Sequence, residues 1–224
     1  MGLGIGLRRS TKRVPVVLTT TLASTFLGSN VGSGPVPVTL AITPAPNSTL
    51  ITTVSVRRTG TSGADLPTCV DDASNTWTQL TNGVTTVTNS VRQTQFKTTV
   101  GANPGTITIS VNTVNATSIG FGVMQYVGAS ADLSNVSPAA SHPTGDPTAT
   151  LPTAPNVSSL VLGAMSCAGS AVATFTAGYN QVAFISPSGA RIQLIEAHTT
   201  AAACVWSSTN VEAVGALVEI KQGP

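Results

Sequence analysis

The sequence predicts an all-β protein, an antiparallel β-sandwich that is jelly-roll-like and carries an extended N-terminal arm. Short runs of residues alternate between apolar and hydroxyl-bearing side chains, which is the period of a strand with one buried face. Turn residues separate these runs at intervals of about ten residues, as in sandwiches and jelly rolls. The sequence has no internal repeat of fixed period, which argues against a propeller or a solenoid.

The clearest strand pattern lies between Gly105 and Gly128. Apolar residues occupy every second position in two runs there, Ile107, Ile109 and Val111 and then Ile119, Phe121 and Val123. Each run predicts a strand with one apolar face, and a turn is expected at Asn112–Asn115 between them. Two adjacent strands of this kind are not stable alone, so a second layer is expected to cover them.

Residues 1–35 are predicted to form an arm and a linker, followed by a sandwich domain at residues 36–224. Residues 1–13 are basic and Gly-rich, and residues 14–26 form a Thr-rich apolar stretch that suits a strand. Gly28–Pro37 has the composition of a linker or a long turn.

The alternating pattern continues through the sandwich domain, where about ten to twelve short strands are expected in all. The further predicted strands are Val36–Ile42, Leu50–Val56, Val87–Val91, Thr94–Val100, Ser159–Cys167, Gln181–Ser186, Arg191–Thr199, Ala203–Ser207 and Val211–Ile220. Pro37 suits the start of a strand or an edge strand, because proline cannot donate to a ladder.

The connections are predicted from turn residues. Thr68–Leu80 is expected to be a short hairpin, with Asp71–Asn75 as its turn and Trp77 entering the core. Asn82-Gly83 is a strong turn dipeptide. Residues 128–155 contain five of the 14 prolines and few large apolar residues, so a long excursion over the surface is expected there.

The protein is poor in charge. Charged residues make up 8% of the chain, against about 25% in an ordinary soluble protein. Serine and threonine supply the polar surface instead, and a surface with few ions favours association. A freely diffusing cytosolic enzyme is seldom built in this way, whereas β-proteins that pack into an assembly or lie outside the cell often are.

The N-terminal arm, in contrast to the rest of the chain, is rich in charged residues. Arg8, Arg9, Lys12 and Arg13 are four of the ten basic residues, which leaves six basic against eight acidic residues in the rest of the chain. Before them, glycines alternate with Leu3, Ile5 and Leu7. The pattern predicts a tether whose apolar side chains lie in a groove of a partner and whose cations face an acidic surface. The alternative is a solvated tail without a partner.

Neither a signal peptide nor a membrane-spanning segment is expected. An apolar stretch follows the arm's charges, but three threonines interrupt it and seven residues precede the charges. No run of about 18 apolar residues occurs. Cys69, Cys167 and Cys204 form no C-x-x-C pair, so buried thiols are favoured over a zinc site, and one disulfide is left open.

Motifs for catalysis are missing, so no enzyme and no cofactor are predicted. The sequence has no G-x-S-x-G elbow, and Ser141-His142 with Asp146 lies in a Pro-rich loop where a solvated histidine is the simpler interpretation. Asp71, Asp72 and Asn75 miss the spacing of a calcium loop, which favours an Asx-type turn and leaves ion binding open.

Binding of nucleic acid or of sugar is also disfavoured by composition. Basic residues beyond the arm are sparse and aromatic residues make up 4% of the chain, so no nucleic-acid surface is predicted. A sugar platform would need exposed aromatic rings. The available Trp and Tyr residues all lie in or beside strand patterns and are expected in the core: Trp77, Tyr126, Tyr179 and Trp206.

Four segments of the chain resemble a β-sandwich module of tailed-phage virion proteins and bacterial surface proteins. They are Asp71-x-x-x-Asn75-Thr-Trp77-Thr, Gly105-Thr-Ile-Thr-Ile-Ser-Val111, Gln125-Tyr-Val-Gly128 and Leu160-Val-Leu-Gly163, and the similarity spans roughly Leu50 to Ile220. The resemblance implies a jelly-roll-like fold on the exterior of a virion, as in head decoration (cement) proteins and the bases of head fibres. It carries no catalytic residue.

The hypothesis that follows is a non-enzymatic bacteriophage decoration protein on the outer surface of the head, where it bridges capsid subunits. Its expected partners are the major capsid protein and other copies of itself, as a trimer by analogy. The capsid contact is expected at Leu3, Ile5, Leu7, Arg8, Arg9, Lys12 and Arg13. Met1 at the start of the chain fits a virion subunit better than an adhesin that loses its leader.

Three alternatives stay open. One is a receptor- or carbohydrate-binding module of a tail or fibre protein, which would use an exposed Trp77 or Trp206. A second is a secreted bacterial surface β-sandwich protein. A third is a hydrolase, and the sequence does not distinguish head from tail.

Overall fold

The computed structural model describes residues 21–31, 37–59, 64–85, 89–143, 146–168, 173–186, 189–207 and 212–223. Within these ranges every regular element is a strand, which confirms the all-β prediction. The strands are β1 (Thr21–Val31), β2 (Val38–Ile42), β3 (Thr49–Thr59), β4 (Thr68–Asp71), β5 (Thr78–Val84), β6 (Asn89–Thr99), β7 (Ile107–Asn112), β8 (Ser118–Val127), β9 (Ala140–His142), β10 (Thr148–Thr150), β11 (Leu160–Cys167), β12 (Thr174–Phe175), β13 (Asn180–Ile185), β14 (Arg191–Ala197), β15 (Ala203–Ser207) and β16 (Ala213–Ile220).

The strands form two sandwiches with the same topology. In the first sandwich, β1 to β8, a five-stranded sheet of order β1-β8-β3-β6-β5 faces a three-stranded sheet of order β2-β7-β4. In the second sandwich, β9 to β16, the sheets have the orders β9-β16-β11-β14-β13 and β10-β15-β12. Each strand of the second sandwich therefore occupies the place of the strand eight earlier in the chain.

The winding is jelly-roll-like in both sandwiches. The first strand pairs antiparallel with the last, the second with the seventh and the third with the sixth: β1 with β8, β2 with β7, β3 with β6, and then β9 with β16, β10 with β15, β11 with β14. This nested pairing confirms the fold class. The fourth pair of a full jelly roll is replaced, because β5 joins β6 and β13 joins β14 at the edge of the larger sheet.

The two five-stranded sheets lie face to face, so the molecule has four layers of three, five, five and three strands. A core fills each sandwich, and a third core, which we call the middle core, lies between the sandwiches. The middle core joins Ile51, Met124 and Tyr126 of the first sandwich to Leu162, Leu194 and Val218 of the second, among others. It explains why β3, β8, β11 and β16 are buried almost from end to end, since both of their faces are covered.

The apolar faces of the Gly105–Gly128 segment were predicted correctly, but its strands are not neighbours in one sheet. Ile107 and Ile109 of β7 face Ile119 and Phe121 of β8 across the first sandwich's core. The second face of β8 is buried as well, because it forms part of the middle core.

The predicted turn at Asn82-Gly83 is wrong, because both residues lie inside β5. Asn82 accepts hydrogen bonds on Oδ1 from Arg92 and Thr94 of the neighbouring strand. A Cβ on Gly83 would lie 2.6 Å from Ala139 Cβ and 2.7 Å from Val214 Cγ1. Glycine is therefore required there by the close approach of the second sandwich and not by a turn.

Several other boundaries also need correction. Thr68–Leu80 is no hairpin, since β4 pairs with β7 and β5 pairs with β6. The two strands expected between Val87 and Val100 are one strand, β6. Residues 128–155 are not a plain surface loop, since they include β9 and β10. Pro37 does precede an edge strand, as expected.

The N-terminal division is only in part within the described residues. Residues 1–20 and 32–36 lie outside them, so the arm at residues 1–13 remains a prediction. The strand expected within residues 14–26 is β1, whose described part extends to Val31 and so includes residues that the sequence assigned to the linker. Within the described ranges, no helix is long and apolar enough to cross a membrane.

Candidate functional site

The residues predicted to contact a capsid all lie outside the described part of the chain. They are Leu3, Ile5, Leu7, Arg8, Arg9, Lys12 and Arg13. Their role stays a prediction.

The Asp71–Trp77 segment forms a hydrogen-bonded loop. Asp71 Oδ1 accepts the backbone N–H of Asn75 at 3.0 Å, and Asp71 Oδ2 accepts Asn75 Nδ2 at 3.0 Å and Trp77 Nε1 at 2.7 Å. The indole ring packs at the edge of the first sandwich's core. The carboxylate is thus used to hold the loop and the ring in place.

Asp72 fixes the same loop to the sheet. Its Oδ1 accepts the backbone N–H of Thr108 at 2.8 Å, and this bonding lowers the pKa of Asp72 below its usual value. The described residues contain no group of three or more His, Cys, Asp or Glu side chains that would hold a metal ion. The geometry of Asp71, Asp72 and Asn75 is that of a turn, in agreement with the sequence interpretation.

The large aromatic side chains are used in packing, as the sequence predicted. Trp206 and Tyr126 are fully buried, Tyr179 is 6% exposed and Trp77 is partly buried. Trp206 is therefore not a platform for a sugar ring. All three cysteines are buried thiols without a disulfide, and burial raises the pKa of the Cys69 thiol to about 12.

The Ser141, His142 and Asp146 group lies on β9 and just after it. Ser141 and His142 are both exposed, in agreement with the solvated histidine that the sequence predicts, and Ser141 Oγ lies near the Gly83 position of β5. A strand directs successive side chains to opposite faces, so the side chains of Ser141 and His142 point away from each other.

Both three-stranded sheets present to solvent an outer face whose strand residues are uncharged, and the exposed carboxylate of Asp72, just after β4, lies beside Thr108 at the rim of the first. The first outer face carries Thr39, Ala41, Thr68, Val70, Thr108 and Ser110. The second outer face carries Thr148, Thr150, Thr174, Ala203, Val205 and Ser207. Val70 is 56% exposed and Val205 is 40% exposed. The two faces lie at opposite ends of the four-layer stack and share one chemistry, small hydroxyls around an exposed valine.

A cavity of about 330 Å³ opens where the first strand meets the second sandwich. Its lining residues come from the start of β1, the start of β11, and β13 and β14 with the residue that follows: Thr21, Leu22, Leu160, Asn180, Glu196, Ala197 and His198. We call it the Glu196 cavity. Leucine and alanine side chains form apolar walls, and the polar groups converge from Asn180, Glu196 and His198.

Glu196 is a carboxylate at a strand position where an apolar side chain is expected. It lies on the face of β14 that carries Ile192 and Leu194 into the middle core, and its Oε2 is buried without a hydrogen-bond partner. Burial raises the pKa of Glu196, and the neighbouring His198 opposes that shift. Tyr126, whose hydroxyl is also buried and unpartnered, has a pKa raised by burial and by the Glu196 charge.

Sequence reasoning missed this cavity. The available signal was a carboxylate at an alternating position that Ile192 and Leu194 mark as buried. That signal does not show that β1, from the other end of the chain, covers the same place.

Comparison with known proteins adds no relative. No family model, no curated protein and no solved structure matches the chain.

Proposed function

We propose that the chain is a non-enzymatic structural protein of a bacteriophage virion, a decoration (cement) protein that binds the outside of the head and bridges capsid subunits. The partners are the major capsid protein and further copies of this chain, as a trimer. The N-terminal arm is the tether in this proposal, and the stacked sandwiches are the body that lies between neighbours.

The observation that carries the proposal is the pair of outer faces, whose strand residues are all uncharged. A sheet face of threonine, serine, alanine and valine has little charge to keep it in solvent, so contact with a neighbour has a small desolvation cost. The faces are at opposite ends of the stack, so one subunit can meet neighbours on both sides. The buried aromatic side chains leave no exposed Trp206 platform, which favours this role over sugar binding.

Deletion of residues 1–13 tests the tether. Heads prepared without this protein are mixed with the full chain or the truncated chain, and bound protein is measured by co-sedimentation. We expect the truncated chain to keep its far-UV circular dichroism spectrum and to lose binding. Unchanged binding would refute the tether.

Two arm variants separate the contributions. Serine at Leu3, Ile5 and Leu7 removes the apolar contacts, and alanine at Arg8, Arg9, Lys12 and Arg13 removes the charges. Binding of the full chain should weaken with added salt, because surface charges are screened over about 8 Å at physiological ionic strength. The alanine variant should lose that salt dependence, and the serine variant should keep it.

Val70→Glu and Val205→Glu test the outer faces. Each places a charge at an exposed site, so folding should be preserved while association of subunits on heads is lost. Val157→Glu is the matched control, because Val157 is 82% exposed and lies between β10 and β11, outside both faces. If all three variants bind and associate alike, the outer faces are not contact surfaces.

A further inference from the structure

The polar side chains that line the Glu196 cavity are of the kind that bind a cation. Among the described residues, none of those that line the cavity is Lys or Arg. Glu196 Oε2 is shielded from solvent and accepts no hydrogen bond. A carboxylate held in this way is destabilised by burial, and a ligand that brings a positive charge would stabilise it.

His198 supplies a second acceptor. Its Nδ1 lies 3.1 Å from the carbonyl oxygen of Ser159, which has no proton to donate. In this contact Nδ1 therefore carries a proton, and in the tautomer with one proton the lone pair is on Nε2. The side chain of Asn180, in register with Glu196 across β13 and β14, adds an amide oxygen.

The walls select among cations. Leu22, Leu160 and Ala197 give the cavity an apolar side that suits a hydrocarbon chain. A divalent metal ion would find two strong ligands, Glu196 and His198, where structural and catalytic metal sites use three or more protein ligands. An anion would be repelled by Glu196.

We propose that the Glu196 cavity binds a primary alkylammonium group, with the ammonium between Glu196, His198 and Asn180 and the alkyl chain on Leu22 and Leu160. The ammonium has three N–H donors, which equals the number of acceptors. The volume, about 330 Å³, is at the small end of ligand sites and suits a short aliphatic amine. The same group occurs in free amines and in the lysine side chains of proteins.

Titration calorimetry with n-butylammonium on the full chain tests the proposal. We expect binding of one equivalent, with 1-butanol, which has the same chain without the charge, at least tenfold weaker. Glu196→Gln should lose at least tenfold in affinity for n-butylammonium. Asp132→Asn should bind like the wild type, because it changes an exposed carboxylate in the connection between β8 and β9. Circular dichroism shows whether each variant is folded.

Several results would overturn the proposal that the Glu196 cavity binds an alkylammonium group. Equal binding of butanol and butylammonium, unchanged binding by a folded Glu196→Gln variant, or no binding of the amine by the wild type overturns the proposal. Binding of zinc ions that depends on Glu196, without binding of the amine, also overturns it in favour of a metal site. Nα-acetyl-lysine N-methylamide distinguishes the sources: binding comparable to butylammonium supports a lysine side chain, and binding of butylammonium alone supports a free amine.

Discussion

Asp71 shows how much structure one carboxylate holds in a chain with eight acidic residues. Asp71→Asn replaces an acceptor by a donor opposite the N–H groups of Asn75 and Trp77. We expect a loss of about 1–3 kcal/mol in the free energy of unfolding, since hydrogen bonds to a charged group are lost and a donor is left unpaired. Urea denaturation measures it.

Asp132→Asn is the matched control for Asp71→Asn. Asp132 is exposed and its partner Lys221 lies 3.4 Å away, a surface ion pair of the kind that contributes little. Its urea midpoint should equal that of the wild type. Equal midpoints for both variants would show that the Asp71 hydrogen bonds do not stabilise the fold.

Glu219 predicts a pH dependence of stability. It is buried, which opposes ionisation, but hydrogen bonds from Ser159, Asn135 and the Asn156 backbone outweigh burial and lower its pKa below the usual 4.5. A lowered pKa means that the contribution is fully present above pH 4.5 and is lost as the pH falls through the pKa of the folded state. Glu219→Gln should therefore be less stable than the wild type at neutral pH.

The difference between Glu219→Gln and the wild type should shrink in acid. Both proteins are unfolded with urea at neutral pH and again below the lowered pKa, and the gap between their midpoints is compared. A gap that stays constant with pH would assign the effect to the lost shape of the side chain and not to its charge.

The sequence alone predicted the environments of some of these side chains. The Asp71–Asn75 turn and the buried Trp206 follow from local spacing and from strand periodicity. Glu196 and Glu219 did not follow, because their environments come from distant segments: β1 lies over the first, and Asn135 and Asn156 bond to the second.

At the scale of elements, Gly83 predicts how closely the sandwiches approach. Gly83→Ala places a methyl group 2.6 Å from Ala139 Cβ and 2.7 Å from Val214 Cγ1, closer than carbon atoms can come, so β5 must shift away from these residues of the second sandwich. We expect about 1–3 kcal/mol of destabilisation, the usual cost of an overpacked core. Thermal unfolding followed by circular dichroism measures it.

Gly101→Ala is the control for Gly83→Ala. A Cβ on Gly101 meets no atom within 4 Å, and the residue lies in an exposed connection between β6 and β7. Its stability should match or slightly exceed that of the wild type, because alanine restricts the unfolded chain. Equal stability of the two variants would contradict the close contact.

Alternation of side chains predicts faces but not partners. It correctly assigned Ile107, Ile109 and Val111 to one face of β7, yet it cannot say which strand lies opposite. Strand pairing depends on the order in which the chain winds, and Asn82-Gly83 shows the consequence: a turn dipeptide is also what a close sheet contact requires.

The whole molecule repeats a topology that the sequence does not repeat. The sandwiches share strand order and pairing, whereas their residues need only keep apolar side chains at alternate positions. Many sequences satisfy that pattern, which explains why no internal period was visible. Stacking of the sandwiches buries the second face of β3, β8, β11 and β16, and this burial is the feature of the sequence that reflects the stacking.

The middle core predicts that the two sandwiches unfold together. Separating them would expose Ile51 and Tyr126 on one side and Leu162 and Leu194 on the other, and would break the hydrogen bond from Gln93 Nε2 to the Ala164 carbonyl oxygen at 3.3 Å. Apolar burial contributes roughly 25 cal/mol per Å². Neither five-stranded sheet is thus expected to stay folded with this face in water.

Each sandwich contains one tryptophan, which allows the prediction to be tested in one chain. In Trp206→Phe the remaining Trp77 reports on the first sandwich, and in Trp77→Phe the remaining Trp206 reports on the second. Circular dichroism reports on both. In each variant the fluorescence and circular dichroism transitions in urea should coincide, as a two-state transition requires. Transitions that separate, with one sandwich melting first, would mean that the middle core does not couple them.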